Sequence, residues 1–173
     1  MSRELVLPRR DGRLERYAPR LEGPEWPRPA APFRSRVAYA AAHVVKDPLG
    51  PDSGPEAIDW DATVAYRRHL WSYGLGVAEA MDTAQRGMGL GWTEAQELIR
   101  RAQAEARTRD DALIAYGAGT DHLLPGPDVT IDQIIAAYEE QVGFVEGQGG
   151  RVILMASRAL AAVAKSPDDY ARV

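Results

Sequence analysis

The sequence predicts an α/β protein, and more narrowly the amino-terminal half of a (β/α)8 TIM barrel preceded by a small β-hairpin and a proline-rich strap. From Val37 to Val173, four short apolar runs alternate with helical patterns, which indicates parallel strands joined by right-handed crossovers. The last helical pattern has only just begun at Val173, whereas a complete barrel needs about 250 residues. A small open doubly wound sheet also fits. We favour the half barrel, because so short a terminal helix is marginal alone.

Composition limits the chain to one domain with a substantial core. It has 173 residues, 45% hydrophobic and 27% charged. We expect an extension over residues 1–36 and a partial barrel, with strands one to four, over residues 37–173. No apolar run approaches the roughly 20 residues that cross a bilayer, and the first ten residues lack the apolar segment of a signal peptide. The sequence therefore predicts a cytoplasmic protein with no membrane partner.

Two features exclude further classes of function. The chain has no cysteine, which removes disulfides, thiolate catalysis and cysteine-ligated zinc. Its net charge of −4 and its scattered arginines argue against a nucleic-acid partner. Lysine occurs only at Lys46 and Lys165, so amine catalysis has few candidates.

The first 36 residues predict an extension and not a core. Asp11-Gly12 lies between β-prone runs at residues 5–7 and 14–17, which is a hairpin signal. Residues 19–32 are rich in proline and predict an extended strap on the domain surface. A proline-rich ligand for a partner's aromatic groove is the alternative.

The remaining chain divides into strands and helices at recognisable signals. Strands are predicted at residues 37–42, 77–81, 112–116 and 152–155, each a short apolar run. Helices are predicted at residues 59–73 with Asp59 as cap, at residues 93–107, from Thr130, and from Ser166 before Pro167. Thr93 with Gln96, and Thr130 with Gln133, have capping-box spacing. Glycines at residues 147–150 end the third helix.

Polar side chains follow each predicted strand, at the end where α/β proteins carry their chemistry. His43 ends strand one, and a polar loop of residues 117–122 follows strand three. The predicted catalytic residues are His43, Glu79, Asp82, Thr83 and His122; the predicted substrate-binding residues are Arg86, Ser157 and Arg158.

Each candidate also has a structural interpretation. Glu79 lies inside an apolar strand, where a carboxylate must be paired, ligated or protonated, and a buried structural ion pair satisfies that equally well. Arg158 could grip a carboxylate with two hydrogen bonds, or lie on the surface. His43 and His122 could act as acid/base groups, or simply be solvated.

Three segments carry a resemblance to known proteins. Residues 58–102, IDWDATVAYRRHLWSYGLGVAEAMDTAQRGMGLGWTEAQELIRRA, resemble a segment of the dihydrodipicolinate synthase and N-acetylneuraminate lyase type of barrel. Residues 82–86 fall on that superfamily's Gly-Thr-Thr-Gly-Glu loop. RVAYAAAHVVKDP, AMDTAQRGMGL and GGRVILMASRAL resemble, more closely, an uncharacterised family related to it.

The resemblance implies a lyase or aldolase acting on a small carbonyl compound, such as a 2-oxo acid or a keto sugar, without a cofactor. Thr83 matches the loop's first threonine, which relays a proton; Ala84 replaces the second, and Asp82 and Arg86 replace a glycine and a glutamate. In that superfamily a sixth-strand lysine forms a Schiff base. Only four strands are predicted here, and neither Lys46 nor Lys165 has the desolvated setting that such a lysine needs.

The catalytic lysine is therefore expected outside this chain. The partners predicted are a small-molecule substrate and either the carboxyl-terminal half of the barrel or a second copy of the chain, in a homo-oligomer.

Two other functions stay open. A metal-assisted hydrolase or isomerase would bring together His43, Glu79, Asp82 and His122, although no ligand spacing such as His-Glu-x-x-His occurs. A non-catalytic half barrel would self-associate, because its outer strands are unpaired edges and its inner face is apolar.

Overall fold

The computed structural model describes residues 4–18, 26–29, 33 and 36–173. It begins with an antiparallel hairpin of β1 (Leu5–Pro8) and β2 (Leu14–Tyr17). Gly12 adopts φ +80° in the turn, a conformation that glycine reaches without strain. The predicted hairpin is confirmed. The predicted strap falls largely outside the described residues.

The main sheet has four parallel strands in sequential order. They are β3 (Tyr39–Ala41), β4 (Gly76–Glu79), β5 (Ile114–Ala118) and β6 (Val152–Leu154), and the spatial order is β3-β4-β5-β6. The predicted α/β class with parallel strands is confirmed. Strand three was predicted two residues too early: β5 includes Gly117 and Ala118, which we assigned to its loop.

Helices connect and follow these strands. They are α1 (Trp60–Ser72), α2 (Trp92–Ala106), α3 (Ile131–Gly147), α4 (Arg158–Val163) and α5 (Pro167–Arg172). Short 3₁₀ turns lie at Pro55–Ala57 and Asp82–Ala84. None of the helices found among the described residues has both the length and the apolar character to cross a membrane.

The helix caps were predicted with mixed success. Asp59 caps α1 by accepting from the Ala62 N–H at 2.9 Å, and Thr130 and Gln133 form the predicted capping box of α3. The predicted capping box at Thr93 is wrong, because α2 already begins at Trp92 after Gly91. Helix α4 was not predicted from the sequence; Ser157 caps it by accepting from the Leu160 N–H.

The core lies between the sheet and the helices. Val77 of β4 packs with Trp71 of α1, and Tyr116 of β5 packs with Leu98 and Ile99 of α2. Each such large apolar side chain contributes about 1.5–3 kcal/mol when fully buried. This packing fixes the sheet against the helices and so fixes the directions in which the strand ends point.

On the other face of the sheet, the two central strands carry only small residues. Ala41, Ala78 and Ala115 form one row across three strands, and the ring of Tyr39 covers Gly76, where a Cβ would approach it to 2.8 Å. Within the described ranges, β3 and β6 each have a strand on one side only. Two sheet edges are therefore open.

Candidate functional site

The loop after β4 contains two residues in the left-handed region. Ala80 has φ +54° and Gln85 has φ +61°, a conformation that costs a residue with a Cβ about 1–2 kcal/mol. Between them, the 3₁₀ turn holds Asp82 and Thr83 exposed to solvent. Such strain persists only where surrounding contacts impose it.

Arg86 supplies those contacts. Its side chain is fully buried and donates to Asp121 at 3.1 and 2.6 Å, to Gln141 Oε1 at 2.6 Å, and to the carbonyls of Ala80 and Gly117 at 3.0 and 3.2 Å. A guanidinium has five N–H groups, and these five bonds use them all. Arg86 therefore braces the loop, and the substrate-binding role predicted for it finds no free donor.

Gln141 of α3 determines which ring nitrogen carries the hydrogen in neutral His122. Its Oε1 accepts from Arg86 and from the Gly119 N–H at 2.7 Å, so its Nε2 donates to Asp121 at 3.0 Å and to His122 Nδ1 at 2.8 Å. An acceptor at Nδ1 places the proton of the neutral ring on Nε2, which lies 3.2 Å from Glu140. His122 thus faces the surface of α3 and does not line the cavity described next.

A small cavity lies where β4, β5 and β6 end. Its volume is about 30 Å³, above the roughly 10–15 Å³ that one water molecule needs. The polar residues that line it are Asp82, Arg86, Thr120, Asp121 and Arg158. We had not predicted Thr120 and Asp121 as site residues, although both belong to the polar loop whose position suggested chemistry.

Asp121 remains ionised at this cavity. Burial of its carboxyl opposes ionisation, but hydrogen bonds and positive charge from Arg86, with a hydrogen bond from Gln141, hold its pKa below the usual value. Its side chain is 10% exposed. Asp121 therefore serves mainly as the hydrogen-bond acceptor that holds the Arg86 side chain in place.

Three further polar groups follow β5 and β6. Thr120 and Ser157 are buried, and their hydroxyl oxygens lie 2.6 Å apart. Arg158 begins α4 and is exposed. Its guanidinium lies against Gly87, where a Cβ would come within 2.5 Å of Nη2.

Glu79 points into the sheet–helix core. Arg67 of α1 donates to both its carboxylate oxygens, at 2.8 and 2.7 Å, and both side chains are at most 1% exposed. Arg67 also donates to the carbonyls of Thr63 and His43. This matches the structural alternative for Glu79 and places its carboxylate away from the cavity.

We missed Arg67, but its position carried a signal. Thr63, Arg67 and Leu70 are buried at helical spacing on α1, so an arginine occupies a stripe where apolar residues are expected.

Tyr116 lies opposite Glu79 in the neighbouring strand. Burial, and then the Glu79 charge, raise the pKa of the Tyr116 hydroxyl.

His43 and Thr83 come together at the end of β3. His43 Nδ1 lies 3.2 Å from the Thr83 carbonyl oxygen, and because a carbonyl only accepts, Nδ1 carries the proton. His43 is exposed, and in this tautomer of the neutral ring Nε2 is the nitrogen that can accept a proton, at the same edge of the sheet as Asp82 and Arg158.

The other predicted groups are dispersed. Across the residues described, no three His, Asp or Glu side chains are placed to hold one metal ion, so the four residues of the metal hypothesis do not form a ligand cluster. Lys46 and Lys165 are exposed, and Lys46 pairs with Asp52.

Fold and site together define an α/β protein with a parallel four-stranded sheet and a polar site at the carboxyl ends of its strands. The chain belongs to the family described as Protein of unknown function (DUF993), whose model matches residues 5–173. A search of the curated proteins finds no match.

Proposed function

We propose that the chain is the amino-terminal half of a (β/α)8 barrel, and that the completed enzyme is a lyase or aldolase acting on a small carbonyl compound such as a 2-oxo acid. The observation that carries the proposal is the strand order. Four parallel strands run β3-β4-β5-β6 without reversal, as in an arc of a barrel, whereas a doubly wound sheet reverses its order at the site.

The two faces of the sheet support the same architecture. Helices α1 and α2 pack on one face, while β4 and β5 carry only glycine and alanine on the other face, so that further strands can approach it closely. Pairing of β3 and β6 with strands from a carboxyl-terminal half, or from a second copy, would remove both open edges.

The positions of the unengaged polar groups support carbonyl chemistry. Three of the four strands contribute at their carboxyl ends: His43 after β3, Asp82 and Thr83 after β4, and Arg158 after β6. His43 Nε2 and the Asp82 carboxylate are the groups that can accept a proton from a substrate. The sequence resemblance matches Thr83 with that superfamily's relay threonine.

The test is borohydride trapping on the complete polypeptide that carries residues 1–173. A Schiff base with pyruvate or another 2-oxo acid is reduced to a stable adduct, which intact mass and peptide mapping detect. We expect one adduct per chain on a lysine outside residues 1–173. The matched control changes Lys46→Arg and Lys165→Arg together and should keep the adduct. Its absence with every 2-oxo acid, or its location at Lys46 or Lys165, would overturn the proposal.

A further inference from the structure

We propose that the cavity at the carboxyl ends of β5 and β6 is a carboxylate subsite, in which Thr120 donates its hydroxyl and Arg158 its guanidinium to one carboxylate of the substrate. The inference rests on the proposed function and narrows its substrates to carbonyl compounds that carry a carboxylate.

The hydroxyl pair leaves one hydrogen for a ligand. Thr120 and Ser157 carry two hydroxyl hydrogens, and the 2.6 Å bond between them uses one. Ser157 Oγ also accepts from the Leu160 N–H at 3.0 Å, and no other acceptor in the described part of the chain takes the second hydrogen. Thr120 lines the cavity and Ser157 does not. Either hydroxyl can be the donor of that bond. We assign Ser157 as the donor, because only Thr120 lines the cavity, which leaves the Thr120 hydrogen for a ligand.

Arg158 provides a cation that forms no ion pair with the residues the structure describes. All five N–H groups of Arg86 donate to other residues of the protein. Arg158 lines the same cavity but forms no hydrogen bond or ion pair with any residue that the structure describes. Arginine binds carboxylates through two parallel N–H bonds. A carboxylate seated between Arg158 and Thr120 would engage both sources of donors.

The size of the cavity and the charges around it suit the carboxylate end of a substrate. Its volume of about 30 Å³ is too small for a whole substrate, since ligand pockets usually enclose about 300–1,000 Å³. Two arginines and two aspartates line it. Asp121 is already paired with Arg86 and Asp82 is exposed, so Arg158 is the charge available to an anion. The rest of the substrate would extend toward Asp82 and the strands that complete the site.

Calorimetric titration of the complete protein with pyruvate and with its neutral amide, without borohydride, tests the subsite. Wild type should bind pyruvate at least tenfold more tightly than the amide. Arg158→Gln and Thr120→Val should each weaken pyruvate binding by about tenfold to a hundredfold, the loss expected for one hydrogen bond to a charged group. Thr120→Ser keeps the hydroxyl and should keep binding. It guards against a Thr120→Val variant that fails to fold.

Two glycine substitutions distinguish the effect of moving the Arg158 side chain from the effect of backbone strain. Gly87→Ala puts a Cβ within 2.5 Å of the Arg158 guanidinium, at φ +66°, whereas Gly12→Ala at φ +80° meets nothing within 4 Å. Both variants carry left-handed strain, so both should lose stability. Only Gly87→Ala should weaken pyruvate binding.

The two proposals fail separately. If the borohydride adduct forms but Arg158→Gln leaves pyruvate binding unchanged, the subsite is wrong and the lyase proposal stands. If Arg158→Gln abolishes carboxylate-dependent binding but no adduct forms, the subsite stands and the lyase proposal is wrong. Equal affinity of wild type for pyruvate and its amide, or no binding of pyruvate, overturns the subsite.

Discussion

Arginine has opposite roles at different places in this domain. Arg67 and Arg86 are buried and spend their donors on the fold, while Arg158 keeps its donors for solvent or a ligand. The sequence predicted polar residues at the strand ends but not this division. Which donors stay free depends on partners far along the chain, such as Gln141, 55 residues beyond Arg86, and spacing alone does not reveal such pairs.

The Arg67–Glu79 pair predicts a large effect from a single change. Arg67→Met leaves the Glu79 carboxylate buried without a charged partner, which should lower the free energy of unfolding by about 3–5 kcal/mol. Urea denaturation measures this. Arg101→Met is the matched control, because the pair of Arg101 with Glu97 is exposed and such pairs contribute about 1 kcal/mol or less.

A double variant checks the cause. Arg67→Met with Glu79→Leu removes both charges and should recover most of the lost stability. If Arg67→Met costs no more than Arg101→Met, the pair does not hold the sheet to α1 as described.

The Asp121 carboxylate predicts a pH dependence of stability. Its pKa is lower in the folded protein than in the unfolded chain, so its contribution is complete above the unfolded value of about 3.9 and is lost as the pH falls through the folded value. Asp121→Asn lacks this contribution. The difference in unfolding free energy between wild type and Asp121→Asn should therefore shrink as the pH falls below about 4. A constant difference would contradict the assigned pairing.

At the scale of elements, the helix starts show what local sequence determines. The capping box of α3 was predictable because Thr130 and Gln133 satisfy each other locally. The same spacing failed at α2, where Trp92 is held from outside the helix by a hydrogen bond to Glu140 and packing on Phe144. Tertiary contacts thus moved the helix start by one residue.

The two threonines give a matched test. Thr130→Ala should lower the free energy of unfolding by about 1 kcal/mol, since it removes the cap of α3. Thr93→Ala, inside the first turn of α2 with no capping role, should change it by no more than about 0.5 kcal/mol. Thermal or urea denaturation of both variants decides. Equal losses would show that the assigned start of α2 is wrong.

The helix α4 was missed for a different reason. It is six residues long, too short for an apolar period to emerge from its alanines and leucine. Ser157, Thr120 and Arg158 converge only because this turn follows β6 beside the end of β5. The general placement of functional groups at the carboxyl ends of parallel strands predicted the edge of the sheet where the candidate site lies. The contact between the Thr120 and Ser157 hydroxyls could be seen only in the structure.

At the scale of the molecule, the strand order and the two open edges are both explained by the half-barrel proposal. Alternating strands and helices predicted the parallel sheet, and the structure adds its sequential order. Within the described residues, this order leaves β3 and β6 each with a strand on one side only, and such an edge is a ready template for pairing with another chain. The half-barrel proposal requires that something pair with them.

Sedimentation velocity of the 173-residue chain over a range of concentrations tests that requirement most directly. The account predicts species heavier than the 18.9 kDa monomer, whose fraction rises with concentration. A chain that sediments as a monomer at every concentration, with the amides of β3 and β6 as protected from hydrogen exchange as those of β4 and β5, would contradict it.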